Sequence, residues 1–249
     1  MNQSNSPIAV ITGASSGIGH AVAYRLAALG YRLCITARRE ERLKDLAADL
    51  SQRTEVLYVP ADIQKSDHIE HIFQCVEEKW GRLDVLVNSA GLGRDASLIS
   101  GDDSGWREMF DVNVIGLSIA TQKAVKLMQK SGDDGHVIHI SSMSGHRVPS
   151  GTGAMYSATK FAVRALTEGL RRELRQMDSG IRVCAISRGF VETEFAEVMS
   201  GSREKAQATY SRFKCLTADD IADSVDWVLS TPSHMQVHDI LMRPTAQES

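Results

Sequence analysis

No apolar run in this 249-residue chain approaches the roughly 20 residues that cross a bilayer, so no membrane-spanning role is expected. The polar start Met1-Asn-Gln-Ser-Asn-Ser-Pro7 lacks the charged and apolar regions of a secretory signal, and a cytoplasmic protein is the expectation. Neither sign of charge is in large excess. Lys and Arg number 28 against 31 Asp and Glu, a net charge of −3, which leaves no basic footprint for nucleic acid. Cysteine is sparse: Cys34, Cys75, Cys184 and Cys215 lie far apart with no Cys-x-x-Cys. Reduced, mostly buried thiols are expected rather than a disulfide framework. His68 and His71 share a predicted helix but have no third ligand nearby, so no metal site is expected. Ser141, Ser142 and His139 lack a Gly-x-Ser-x-Gly elbow, which argues against a hydrolase. Repeats, low-complexity tracts and linkers are missing too. Residues 1–249 are expected to form a single domain with a large core.

What is present is an alternation of short apolar runs and amphipathic stretches. Ile8-Ala-Val-Ile-Thr12 is a β-rich run ending at Gly13, and the helix after it carries Ile18, Val22, Leu26 and Leu29 on one face. Gly30 is placed to cap that helix. A second strand, Arg32 to Ala37, is followed by a charged helix from Glu40 to Leu50. Further strands are predicted at Glu55 to Pro60, Leu83 to Asn88, His136 to Ser142, Ile181 to Ser187 and near Val237 to Met242. Helices are predicted near 66–79, 104–130 and 155–177, with another opening at Thr217-Ala-Asp-Asp. Short, nearly continuous apolar strands suit a parallel sheet covered on both faces, and right-handed crossovers make it a doubly wound three-layer α/β domain. The stretch from Phe190 to about Cys215 breaks the rhythm. It follows a strand's carboxyl end, where such folds bind ligands, so a substrate-binding loop is expected at about 190–215.

Two clusters carry chemistry. Tyr156 and Lys160 are one turn apart on a predicted helix, so phenol and ammonium can point into one pocket. A fixed positive charge beside a phenol favours the phenolate and brings proton transfer within reach near neutral pH. Ser142, ending a predicted buried strand, can bond the same substrate oxygen. The second cluster is Gly13-x-x-x-Gly17-x-Gly19 between a strand and a helix, where glycines let the backbone approach a pyrophosphate at a helix N-terminus. At the end of the second strand, Thr36-Ala37-Arg38-Arg39 offers no carboxylate before Glu40 to bond a ribose 2′-hydroxyl. A guanidinium there attracts a 2′-phosphate instead, so NADP(H) is favoured over NAD(H).

With Thr12-Gly-Ala-Ser-Ser-Gly-Ile-Gly19, Asn88-Ser-Ala-Gly91, Asn113, Ser142 and Tyr156-x-x-x-Lys160 in order, the chain resembles the short-chain dehydrogenase/reductase superfamily over about residues 8–245. The resemblance implies a single NAD(P)-binding Rossmann domain with a mostly parallel seven-stranded sheet. It also implies an oxidoreductase acting on a small carbonyl or alcohol. Tyr156 would be the general acid or base, Lys160 its partner and a ligand of the nicotinamide ribose, and Ser142 the holder of the substrate oxygen. Asn113 would position a water linking Lys160 to solvent. Gly13, Ser15, Ser16, Gly17, Ile18 and Gly19 would face the pyrophosphate side. Asp62 and Ile63 would touch the adenine, and Asn88, Ala90 and Gly91 would line the adenosine side. Gly189, Val191 and Thr193 would lie around the carboxamide, within the matching stretch Ile186 to Thr193.

The chain departs from that pattern twice: Ser187-Arg188-Gly189 stands where the family usually has Pro-Gly, and Asn88-Ser89 where it has Asn-Asn. Glu192-Thr-Glu-Phe195 and the tail Leu241-Met-Arg-Pro-Thr-Ala-Gln resemble the subgroup of 3-hydroxy acid and serine-type dehydrogenases. The same tail resembles animal reductases of ketosteroids and dicarbonyls. Arg94, Arg147 and Arg188 each follow a strand at the substrate end, where one of them can pair a carboxylate. Phe190, Val191, Phe195, Val198 and Met199 offer apolar walls for neutral ketones instead. A non-catalytic NADPH-sensing regulator is the alternative from another class, although such a protein has no need of the full Ser142, Tyr156 and Lys160 set. The family also implies a homotetramer, built on the helices near 104–130 and 155–177.

Overall fold

In the computed structural model, which describes residues 6–149 and 151–248, seven strands hydrogen-bond into one sheet in the order β3-β2-β1-β4-β5-β6-β7. Most of the polar start lies outside the described residues. The strands are β1 (Ile8–Thr12), β2 (Arg32–Ala37), β3 (Val56–Pro60), β4 (Val85–Asn88), β5 (His136–Ser142), β6 (Arg182–Arg188) and β7 (Asp239–Met242). All six pairings are parallel. Central strands β1, β4 and β5 are buried along their whole length, which is why their sequences are apolar runs rather than alternations.

Helices cover both faces. On one lie α1 (Gly17–Ala28), α2 (Glu40–Leu50) and α9 (Ala218–Ser230), packing Leu26, Leu43 and Val225 against β1, β2 and β6. On the other lie α3 (Ser66–Trp80), α5 (Leu117–Lys130) and α6 (Ala154–Gln176), with Ile69, Ile72, Ala124 and Leu174 in a second cluster. Each fully buried Leu or Ile side chain contributes about 1.5–3 kcal/mol relative to exposure. Local signals agree with these ends. Gly30 follows α1 at φ +82°, and Thr217 with Asp220 forms a complete capping box on α9.

The structure refines two expectations. The predicted helix 104–130 is α4 (Asp103–Phe110), a π-helical turn at Asp111–Gly116, and α5. Gly116 in that turn lies so close to the Ile63 carbonyl that a Cβ would collide with it, and a widened turn meets this approach. The segment 190–215 is less irregular than expected, for it holds two short helices, α7 (Phe195–Ser200) and α8 (Arg203–Tyr210).

Strand order reverses at β1, whose neighbours are β2 on one side and β4 on the other. Thr12 is in register with both Thr36 and Asn88, while Ser142 is in register with Arg188. The carboxyl ends therefore open a crevice at the switch point, where such sheets bind ligands.

Candidate active site

One cavity occupies that crevice, with walls from the β1–α1 turn, the end of β2, the segment after β4, α6 and the segment after β6. Its floor at the turn depends on two glycines. Gly13 sits at φ +71° with a virtual Cβ 2.8 Å from the Ala90 Cα, and Gly17 at φ +55° with Thr193 Cγ2 3.2 Å from its virtual Cβ. Neither a left-handed backbone nor that closeness suits any other residue. Ser16 stands at the N-cap of α1, but its Oγ accepts no capping bond from a backbone N–H of the helix, leaving first-turn N–H groups for an anion. Thr12 Oγ1 accepts from the Ser89 and Ala90 amides at 3.1 and 3.0 Å, tying the turn to the end of β4.

Arginine gathers at the β2 end of the cavity. Arg38 is exposed and has no ion pair among the described residues. Arg39 donates to Ser15 Oγ at 3.1 Å, Ser16 Oγ at 2.6 Å and Glu194 Oε2 at 2.7 Å, and Arg42 reaches the other Glu194 oxygen at 2.7 Å. Bonds from both guanidiniums hold the Glu194 carboxyl down to about 2. This carboxylate belongs to the segment after β6 and closes a polar bridge across the cavity.

At the other end stand Tyr156 and Lys160, both 5% exposed. The Tyr156 hydroxyl is buried with no hydrogen-bond partner among the described residues. Its ring packs against Phe195 with centroids 5.6 Å apart, and Lys160 Nζ lies 5.8 Å from its ring centroid. Lys160 Nζ donates to the Ile140 carbonyl at 3.1 Å. Burial first, and the Arg188 charge second, lower its pKa to about 7. The group can thus both carry and release a proton near neutral pH. Ser142 is 5% exposed, and its Oγ accepts from the Ser144 amide at 3.1 Å, which leaves the hydroxyl proton for another acceptor.

Around these groups the structure is tightly braced. Asn113 binds both backbone groups of Leu92, accepting from N at 2.9 Å and donating to O at 2.8 Å, and donates to Thr159 Oγ1 at 3.1 Å. A buried polar chain runs from Asn88 through Thr121 and His139 to Thr167, with contacts of 2.9, 3.2 and 2.9 Å. Burial, and then the Lys160 charge, push His139 down to about 3. It is a neutral tie between β5 and its covering helices, not a proton carrier near pH 7.

Most sequence-predicted residues meet on the cavity wall: Gly13, Ser15, Ser16, Gly17, Ile18, Arg38, Arg39, Asp62, Ile63, Ala90, Gly91, Tyr156, Lys160 and Thr193. Six are placed off it. Asn88 is 2% exposed and engaged with Thr121, so its successors Ser89, Ala90 and Gly91 reach the cavity wall and Asn88 does not. Gly19 packs under the Gly13 carbonyl, and Gly189 under Arg243 and Gln247 of the C-terminal segment. Val191 is in the core and bridges to Leu216. Asn113 and Ser142 stand just behind the wall. Sequence reasoning missed Leu92 and Val112 on the wall, and the role of Glu194. The triplet Thr-Glu-Phe195 was visible, but nothing local shows that its carboxylate meets Arg39 from 155 residues away.

Cys34, Cys184 and Cys215 are buried free thiols and Cys75 is partly so. Among the described residues no group of three or more His, Cys, Asp or Glu is arranged to hold a metal ion, and no helix is long and apolar enough to cross a membrane.

The architecture recurs in known proteins. A family model described as short chain dehydrogenase matches residues 7–204. The chain is 46% identical over 247 residues to Dehydrogenase/reductase SDR family member 11 of Homo sapiens, with 96% of this chain and 95% of that protein covered. It is 40% identical over 250 residues to Farnesol dehydrogenase of Aedes aegypti, with 97% of each covered. The closed form of a serine dehydrogenase complexed with NADP+ superposes with a TM-score of 0.90 at 31% identity, covering 97% of this chain and 96% of that one.

Proposed function

The chain belongs to the short chain dehydrogenase family of oxidoreductases, and from that membership we propose that it interconverts a carbonyl and a secondary alcohol with NADP(H). The observation that carries the reading is the Tyr156 hydroxyl. It is buried without a partner, one helical turn from a buried Lys160, in the cavity that also holds the glycine turn. An unpaired buried hydroxyl costs about 1–3 kcal/mol, and a substrate oxygen is the group that removes the cost.

The residues fit a dinucleotide. The Gly13–Ile18 turn and the first turn of α1 would hold the pyrophosphate, Asp62 and Ile63 the adenine side, Ala90 and Gly91 the adenosine, and Thr193 the nicotinamide end. Arg38 and Arg39 would hold a 2′-phosphate, and the lack of a carboxylate before Glu40 supports NADP(H) over NAD(H). The structural neighbour with NADP+ bound supports the same choice. Bound there, the nicotinamide supplies or takes the hydride.

In the reductive direction the carbonyl carbon receives the hydride while its oxygen receives a proton from Tyr156 Oη, giving the alcohol. Ser142 donates to the same oxygen, so negative charge developing there meets two donors. A protonated Lys160 stabilises the phenolate left on Tyr156, and the proton is restored from solvent past Lys160. Asn113 keeps the Leu92 backbone and Thr159 in place, which fixes the wall beside Lys160.

The test is NADPH oxidation with short ketones by wild type and Tyr156→Phe. A fall of about 10²–10⁴-fold in kcat, the range for general acid catalysis, is expected, with NADPH binding retained. Binding of NADPH without turnover on any carbonyl would replace this reading with a cofactor sensor. A cytoplasmic homotetramer completes the proposal. Ile115, Phe161 and Leu166 lie exposed on the helices expected to pair, and sedimentation velocity measures the subunit number.

A further inference from the structure

We propose that Arg188 is the receptor for a carboxylate on the substrate, so that the substrate is an oxo acid and its reduced form a hydroxy acid. This rests on the oxidoreductase reading and names the substrate class of the same site.

Three arginines reach the substrate end of the sheet, and the structure separates them. Arg94 is clamped by Glu108 through Nε and Nη2 at 2.7 and 2.9 Å, and donates to the Val198 carbonyl at 3.1 Å. Its charge is already paired. Arg147 is not on the cavity wall. Arg188 lies on that wall with Tyr156, Lys160, Phe195 and Val198. It is half-buried and makes one hydrogen bond, from Nη1 to the carbonyl of the next residue, Gly189, at 3.2 Å. Its Nε is buried and unpartnered, and no carboxylate lies within ion-pair distance among the described residues.

A guanidinium in this position is unfavourable unless something completes it. Taking a charge from water is costly without a partner, and Lys160 adds a second cation to the cavity. Arg188 also sits with Cζ 5.0 Å from the Phe195 ring centroid. A guanidinium held against an aromatic ring keeps its in-plane N–H groups for a fork of two bonds to a carboxylate. Phe195 in turn packs against Tyr156, so one aromatic ring separates the proposed anion site from the proton donor. An acid whose carbonyl meets Tyr156 and whose carboxylate meets Arg188 satisfies the orphan hydroxyl and the orphan guanidinium together. It also neutralises a cation beside Lys160. A proline, usual at this place in the family, has no such donor.

The experiment uses the full chain with NADPH, a short 3-oxo acid and its methyl ester. Turnover is followed by NADPH absorbance, and binding by the fluorescence of bound NADPH. Wild type is expected to favour the acid in kcat/KM by roughly 10- to 100-fold, the range of one hydrogen-bonded charge pair. In Arg188→Gln the acid-to-ester ratio collapses toward one, mainly through the acid's KM. Arg188→Lys restores part of the ratio by charge alone, and it also serves if the Gln variant does not fold. Equal or better rates with the ester in wild type would overturn the proposal while leaving the reductase reading intact. Absence of turnover with both compounds and with the short ketones as well would overturn the reductase reading. Arg188 is then judged on binding: tighter acid than ester, lost in Arg188→Gln, upholds the anion site, and equal binding removes it.

Discussion

Replacing Lys160 by methionine is expected to make the protein more stable at pH 6 and no more stable at pH 9. The wild-type pKa falls from 10.5 to about 7 on folding. The unfolded chain therefore keeps its proton across that window while the folded chain loses it, and wild-type stability rises with pH between about 7 and 10.5. Below pH 7 both states are protonated and the full penalty remains. At about 1.4 kcal/mol per pKa unit it is of order 5 kcal/mol. Methionine fills similar volume without charge, but it leaves the Ile140 carbonyl, now bonded at 3.1 Å, without its donor, a loss of about 1–3 kcal/mol. The net gain at pH 6 is about 2–4 kcal/mol, or roughly 5–15 °C in Tm for a chain of this size. At pH 9 the remaining penalty is only about 2 kcal/mol, so the two effects cancel. Thermal unfolding of the cofactor-free proteins at both pH values measures this, and activity should be lost in the variant. A Lys160→Met protein no more stable than wild type at pH 6, or shifted equally at both pH values, would refute the reasoning.

Glu194→Gln is expected to tighten NADPH binding by about 2- to 5-fold, with NADH changing less. Glu194 now occupies Arg39 and Arg42, and half-exposed ion pairs of this kind are worth only about 0.2–1 kcal/mol each; fluorescence titration of both cofactors gives the comparison. Gly13→Ala is expected to lower Tm and abolish cofactor binding. A left-handed alanine costs about 1–2 kcal/mol, and its Cβ would be 2.8 Å from the backbone of Ala90; unfolding curves with and without NADPH check both effects.

Much of this architecture was legible because its signals are local. The buried strands are apolar runs, the glycine turn lies between a strand and a helix, and Tyr156 and Lys160 are related by one helical turn. The parallel order and the switch point follow from the alternation of elements. What escaped is what depends on long-range approach. Glu194 meets Arg39 only because the segment after β6 folds back over the β1–α1 turn. The π-helical turn at Asp111–Gly116 answers the nearness of Gly116 to Ile63, which periodicity cannot register. Asn88 reads as a cavity residue by its neighbours Ser89, Ala90 and Gly91, yet strand alternation turns it inward to Thr121. Helices α7 and α8 are short and hold one buried residue between them, Ala206, so their sequences carry little apolar pattern.

The distribution of satisfied and unsatisfied polar groups gives the site its meaning. Asn113, Thr12, Thr121 and His139 are all bonded, and each ties together two elements that meet at the cavity. These ties fix the wall but leave Tyr156 Oη and Arg188 Nε without partners among the described residues. A fold selected for stability alone would remove such groups, since apolar residues of similar shape would relieve the desolvation. Local rules are commonly broken at functional sites, where a ligand completes what the chain leaves open. Not every orphan has this meaning. His136 is buried and unpartnered at the amino end of β5, with both ring nitrogens unbonded, and its pKa is pushed down to about 3 by burial and then Arg182. It lies at the opposite end of its strand from Ser142, and no cavity residue adjoins it in sequence. Among the described residues the cavity wall carries three such orphans, Thr36 Oγ1 at the β2 end and Tyr156 Oη and Arg188 Nε at the other, and the latter two, on either side of Phe195, are donors suited to oxygen. That common chemistry is what the proposed substrate, with a carbonyl for Tyr156 and a carboxylate for Arg188, would satisfy at once.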